Sequence, residues 1–228
     1  MIQNQFESKD ALNNAFAERI IQILQEAISQ QGRASLLVSG GRTPMPLFKS
    51  LSETNIDWSK VDISLVDERW VAEDDSASNT KMVKENLLQN HAAAANFVPL
   101  KNAQNDASDA VAWCTDNLQN IKQPFDVLIL GMGEDGHTAS LFPCSEQISQ
   151  GLDLTCDASY IAVQPTTAPN QRMSLTLKAI LTSQNIFLHL TGDSKKQVLE
   201  QALAGDDEQE MPIRAVLQRA EVELMWAP

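Results

Sequence analysis

Phe125-Asp-Val-Leu-Ile-Leu-Gly-Met-Gly-Glu-Asp-Gly-His-Thr-Ala-Ser-Leu-Phe-Pro143 is the stretch that decides the fold class. Its apolar run, Val127 to Leu130, reads as a buried strand. The run stops in a loop carrying Gly131, Gly133 and Gly136, after which Thr138 to Phe142 read as the first turn of a helix. Asp135 and His137 stand two residues apart inside that loop. A strand that ends in glycines and presents a carboxylate and an imidazole is where an α/β protein places chemistry. The same string also fits G-x-G-x-x-G, the dinucleotide fingerprint.

On either side of this stretch, strands alternate with helices. Leu12, Phe16, Ile20, Ile21, Leu24, Ala27 and Ile28 predict an amphipathic helix over residues from about 8 to 30, ended by Gln31-Gly32. Ala34 to Val38 is a short strand, followed by Ser39-Gly-Gly-Arg-Thr-Pro44, with Thr43 as N-cap and Pro44 as first helical residue. Val61 to Val66 is a second strand, ending in Asp67-Glu-Arg-Trp70. A helix over residues from about 106 to 121 would turn Ala110, Val111, Trp113, Cys114 and Leu118 inward. Met173 to Leu181 fits strand or helix, and Asn185 to Leu190 is a strand leading into a helix from Asp193 to Ala204. This alternation predicts a mostly parallel sheet covered on both faces, with ligands beyond the carboxyl ends of the strands. Four loops would then meet at one rim: Ser39 to Arg42, Asp67 to Arg69, Gly131 to His137, and Thr191 to Lys195.

No repeat, low-complexity tract or linker divides the chain, so residues 1–228 are expected to form one domain. No apolar stretch approaches the ~20 residues of a membrane span, and the N-terminus lacks the pattern of an export signal. Cys114, Cys144 and Cys156 are odd in number and widely spaced, which favours reduced thiols and a cytoplasmic location over a disulfide framework or zinc site. The net charge of −13 disfavours a nucleic-acid partner. A small phosphorylated substrate is still compatible, because a few local cations dominate a pocket once distant charges are screened.

Glycines at a strand-to-helix turn let backbone N–H groups approach an anion, so Ser39, Gly40, Gly41 and Arg42 are candidates for holding a phosphate. A tight turn that merely requires glycine explains the same residues. Neither a nucleotide P-loop nor a G-x-S-x-G serine elbow is present. Lys195 and Lys196 oppose the dipole of the helix they begin, a penalty that a bound anion would reverse; both being solvated, with Asp193 compensating, is the competing explanation. Arg172 and Arg214 are either further anion contacts or structural side chains. His189 lies within a strand and His91 ends a helix, whereas His137 has no such structural reason for its position. The dinucleotide alternative requires an acidic residue at the end of the next strand. Tyr160 to Val163 ends instead in Gln164, and the segment Pro143 to Ser159 is too broken for the long helix of such a unit, which together remove most of the NAD reading.

Together the loops resemble those of the 6-phosphogluconolactonase family. The resemblance rests on Leu37-Val-Ser-Gly-Gly-Arg-Thr-Pro44, Val66-Asp-Glu-Arg-Trp70, Asp75-Ser-Ala-Ser-Asn79, Gly131 to Pro143, Arg172-Met-Ser-Leu-Thr176, Gly192-Asp-Ser-Lys195 and Val222-Glu-Leu-Met-Trp226. It implies a three-layer αβα, modified Rossmann fold like that of glucosamine-6-phosphate deaminase and ribose-5-phosphate isomerase. It also implies hydrolysis of 6-phospho-D-glucono-1,5-lactone without metal or organic cofactor; apart from the resemblance, a monomer or weak homo-oligomer is expected. Carried onto this chain, His137 would be the general base, with Asp135 orienting either His137 or the water. Gly40, Gly41, Arg42, Lys195 and Arg172 would hold the phosphate; Arg69 would serve the lactone oxygen or the phosphate. Ser39, Asp67 and Gly133 are further rim candidates. Arg42 departs from the family, which more often has Ser there. Two alternatives remain: an isomerase or deaminase of the same fold with Asp67 as base, and a sugar-phosphate sensor without chemistry.

Overall fold

The computed structural model describes residues 1–228. Its strands are β1 (Ile2–Gln5), β2 (Ala34–Val38), β3 (Val61–Leu65), β4 (Asp67–Arg69), β5 (Asn96–Phe97), β6 (Val127–Leu130), β7 (Tyr160–Val163), β8 (Arg172–Leu175), β9 (Ile186–Thr191) and β10 (Val222–Ala227). The α-helices are α1 (Lys9–Gln31), α2 (Met45–Glu53), α3 (Asn79–Asn86), α4 (Val111–Asn117), α5 (Ile148–Leu152), α6 (Leu177–Ile180), α7 (Asp193–Ala204) and α8 (Ile213–Arg219). Seven strands form one sheet in the order β1-β10-β9-β6-β2-β3-β5, and every pairing in it is parallel. Helices flank it, giving the α/β architecture expected from the alternation.

Local chemistry explains the elements that carry the site. β2, β3 and β6 are buried along their whole length, as strands covered on both faces must be. Helix α1 begins where Ser8 accepts a hydrogen bond from the Ala11 N–H at 3.2 Å and ends at Gly32, whose φ of 78° suits glycine. Its buried Leu12, Phe16, Ile20 and Leu24 recur every four residues and lay the helix along β2, β6 and β10.

The strand order also fixes where a ligand can enter. From β2 the chain proceeds outward through β3 to β5, then returns to place β6 on the other side of β2 and continues towards β9 and β10. The crevice between β2 and β6 is therefore the topological switch point. The four strands preceding the unusual loops, β9, β6, β2 and β3, are consecutive in the sheet, so their carboxyl ends share one rim.

A second sheet, β4-β8-β7, is antiparallel and was not foreseen. Asp67–Arg69 reads as a strand end but is a strand in its own right, pairing Asp67 with Ser174 and Arg69 with Arg172. The ambiguous stretch 173–181 divides into β8 and α6, with the Thr176 hydroxyl capping the helix by accepting from Ala179 N–H. Thr138–Phe142 is not a helical turn. Ala139 has a φ of 49° and Thr138 bridges Leu141, so the chain doubles back on itself. At α2 the N-cap is Pro44 rather than Thr43, without a side-chain cap bond. Trp113 is exposed, because the buried face of this segment runs through Ala110, Cys114 and Leu118 at four-residue spacing and only Cys114 of these lies within α4.

Candidate active site

A cavity of about 360 Å³ opens at the shared rim, near the lower end for small-ligand sites. All four loops line it, through Ser39, Gly40, Asp67, Arg69, Gly131 to Gly133, His137, Thr191 and Lys195. The small sheet supplies another wall, with Arg172 from β8.

His137 and Asp135 form a hydrogen-bonded pair at the cavity. The ring Nδ1 lies 2.6 Å from Asp135 Oδ1, and the His137 backbone N–H donates to the same oxygen at 3.1 Å. An ionised carboxylate only accepts, so Nδ1 carries the proton and Nε2 keeps its lone pair. Burial acts to raise the Asp135 carboxyl, but the hydrogen bonds and charge of His137 outweigh it, and the group is held below the usual range. Asp135 therefore stays ionised and favours the tautomer whose Nδ1 carries the proton, leaving the lone pair on Nε2.

Gly133 is what permits this pairing. A Cβ there would lie 2.1 Å from His137 Nδ1 and 2.6 Å from Asp135 Oδ1. The loop closes over it through a 2.9 Å bond from Gly133 N–H to His137 carbonyl. Gly136 has a φ of 74° and abuts Met211, so it serves the turn instead. Gly133→Ala is expected to keep the fold and lower kcat by roughly 100-fold, the scale of a ~1 Å misplacement of a reacting group. Steady-state kinetics beside a circular dichroism spectrum checks it, and a wild-type kcat would contradict the steric account.

Cations stand on both sides of the pair. Lys195 donates to the Met132 carbonyl at 2.9 Å and lies 2.9 Å from Glu134 Oε1, so it is engaged rather than solvated. Arg69 and Arg172 face each other across the β4–β8 register. Arg69 donates to the Ala77 carbonyl at 2.7 Å and Arg172 to the Pro169 carbonyl at 3.2 Å, while the Nε of each is buried without a partner. Burial, then repulsion from Arg69, pulls Arg172 below the usual guanidinium range. Two adjacent guanidiniums with unused donors are suited to an anion.

Strand alternation turns Glu68 away from Asp67 and Arg69. Its fully buried carboxylate accepts from Asn79 N–H and Thr80 N–H at the start of α3, and from its neighbour Arg69 N–H, each at 2.7 Å. Burial raises this carboxyl and the three N–H donors partly offset the rise. Glu68 is thus a helix anchor. Asn79, so held, donates to the Asp67 carbonyl at 2.9 Å and occupies the space where a Cβ on Gly40 would stand. Asp67 itself accepts from the Ser140 hydroxyl at 2.6 Å.

A family model described as glucosamine-6-phosphate isomerases/6-phosphogluconolactonase matches residues 7–226. The chain belongs to this family. A relative from Rhizobium meliloti named 6-phosphogluconolactonase is 43% identical over 98% of this chain and 97% of its own. Another of that name from Pseudomonas aeruginosa is 39% identical over 90% and 86%. A crystal structure of a 6-phosphogluconolactonase from Shewanella baltica superposes with a TM-score of 0.97 at 46% identity, covering 100% of this chain and 98% of that one. A monomeric glucosamine-6-phosphate deaminase, at 16% identity and a TM-score of 0.83, shares the fold.

Within this family fold, the sequence expectations fall unevenly. Ser39, Gly40, Asp67, Arg69, Gly133, His137, Arg172 and Lys195 come together around the cavity. Gly41 and Arg42 do not line it; with Gly41 at a φ of 101°, the turn carries Arg42 into a neighbouring groove with Lys81 and Met82. Lys196 stacks over Trp226, 4.5 Å from the ring centroid, and Arg214 is buried in bonds to the carbonyls of Ala202, Asp207 and Gln201. His189 is buried edge-on to Phe16, and burial pushes its imidazole down to about 4. Asn79, Phe142 and Ser140 also line the cavity and were not foreseen. The dinucleotide arrangement has no counterpart, since β7, the strand after the glycine loop, belongs to the other sheet. No three His, Cys, Asp or Glu side chains converge to hold a metal ion, and no helix is long and apolar enough to cross a membrane.

Proposed function

We propose that the chain, acting as one domain over residues 1–228, hydrolyses 6-phospho-D-glucono-1,5-lactone to 6-phospho-D-gluconate in the oxidative pentose phosphate pathway. The carrying observation is the 2.6 Å Asp135–His137 pair at a rim flanked by Lys195, Arg69 and Arg172. Membership of the family and the shared name of its close relatives support the same reading.

His137 Nε2 takes a proton from water as the water oxygen attacks the lactone carbonyl. Collapse of the tetrahedral intermediate breaks the bond to the ring oxygen, which takes the proton back from the imidazolium. Lactones are activated esters, so a positioned base with cations near the developing charge suffices. Gly40, Lys195 and Arg172 hold the phosphate and thereby place the ring. Arg69 serves either the phosphate or the lactone oxygen. Gly41 and Arg42 reach the phosphate only from the adjoining groove. Asp67 is engaged by Ser140, which leaves it a poor candidate for the carbon-bound proton of an isomerase or deaminase.

Lys195→Met tests the clamp. Losing a charged hydrogen-bond partner costs about 1.5–3 kcal/mol, so kcat/KM for the phosphorylated lactone should fall roughly 10- to 100-fold. Activity on unphosphorylated glucono-1,5-lactone should be nearly unchanged. Equal losses on both substrates would remove Lys195 from the phosphate site, and ammonia release from glucosamine 6-phosphate would favour the deaminase.

A further inference from the structure

The hydrogen bond from His137 to Asp135 fixes one edge of the imidazole, yet a ring held at one edge can still tilt about that bond. A second constraint comes from Phe142. Its ring stacks on the imidazole with centroids 4.1 Å apart and planes inclined by 26°. Phe142 is itself 5% exposed and lines the cavity. Its carbonyl accepts from Ser145 N–H at 3.1 Å and from the Ser145 hydroxyl at 2.9 Å, so the backbone beneath the ring is pinned. The chain between the two rings is also tied down: the Thr138 hydroxyl donates to the Gly131 carbonyl at 2.9 Å, and Ser140 N–H donates to the Ser174 hydroxyl at 3.0 Å. The Arg172 guanidinium lies 5.8 Å from the same Phe142 centroid, within reach of a cation–π contact.

We infer that Phe142 is a positioning residue for the base: Asp135 sets the direction of the imidazole and Phe142 sets its plane, so that the Nε2 lone pair has one orientation. This rests on the reading of His137 as the general base. It also explains why the segment after His137 turns back on itself instead of starting a helix. The reversal at Ala139 lets a residue five positions on face the imidazole. An aliphatic side chain of similar size would fill the space but give the ring no flat partner.

Phe142→Leu and Phe142→Tyr, assayed beside wild type and His137→Asn, test the inference. Leucine should lower kcat roughly 10- to 100-fold, as loss of near-attack geometry does, with KM changed by less than about threefold because uniform binding is untouched. Tyrosine, which keeps the flat ring, should recover most of the loss. In wild-type protein, the carbon-bound ring protons of His137 should resonate upfield from those of a free histidine, and the shift should vanish in Phe142→Leu. A leucine variant as fast as wild type, equal impairment of both variants, or the absence of the upfield shift in wild type would each overturn the inference. The last measurement decides even if neither variant folds. If His137→Asn is as active as wild type, the general-base reading has failed; if it is inactive while Phe142→Leu is normal, only the role of Phe142 has.

Discussion

His137→Asn is expected to lower kcat for the phosphorylated lactone by about 10²- to 10⁴-fold, the range for loss of a positioned general base. Asparagine can still meet Asp135 with its amide N–H, so the loop should hold its shape. It has no nitrogen able to take a proton from water. KM should change by less than about threefold, as expected for a group that acts in the transition state while the phosphate is bound by other residues. Fresh lactone must be used and its spontaneous hydrolysis subtracted, because the background sets the lowest rate that can be read. A large rise in KM with normal kcat would instead make His137 a binding group.

The largest expected effect on stability lies outside the Asp135–His137 pair. Glu68→Ala removes the acceptor for three N–H groups, those of Arg69, Asn79 and Thr80. Each buried donor left without a partner costs about 1–3 kcal/mol. A loss of about 4 kcal/mol or more follows, even if water re-enters and satisfies part of the site. For a protein of this size that lowers Tm by about 10 °C. Activity should fall as well at temperatures where the variant is folded, because α3 holds Asn79 against Gly40 and Asp67. Glu73→Ala is the control: its partner Lys84 is exposed and half-solvated, so the change should stay within about 0.5 kcal/mol. Thermal denaturation of both variants checks the contrast. Equal Tm values would show that Glu68 does not anchor α3.

Much of this was legible in the sequence because it depended on short-range patterns. The uninterrupted apolar run of β6 and the mostly apolar β2 announced buried strands, and the glycine-bearing loops after β2, β6 and β9 announced a rim. What escaped depended on distant partners. Asp67–Arg69 becomes a strand only because Arg172–Leu175 runs beside it more than a hundred positions later. Nothing local to Asp67 signals that pairing. Thr138–Phe142 has helix-like composition, but the bond from Ser140 N–H to Ser174 and the stack of Phe142 on His137 hold it in a reversal.

The same distinction separates the site residues. His137 stood out because no structural reason placed it there, and Asp135 because it was adjacent. Gly133 was singled out as a loop former, while its actual constraint is the space that His137 and Asp135 occupy above it. By sequence Arg42 groups with its glycine neighbours as a phosphate contact, although it departs from the family's usual Ser. The positive φ of Gly41 rotates it out of the cavity, a one-residue conformational effect that spacing does not reveal.

We propose that this rim hydrolyses a sugar-phosphate lactone, with His137 activating water. Proton release from freshly prepared 6-phospho-D-glucono-1,5-lactone, followed at constant pH with catalytic amounts of the wild-type protein, tests it most directly. The predicted result is release well above the spontaneous rate, proportional to protein concentration and lowered about 10²- to 10⁴-fold by His137→Asn. Release at the spontaneous rate, with 6-phosphogluconate still binding in a calorimeter, would contradict it and leave a sugar-phosphate sensor in its place.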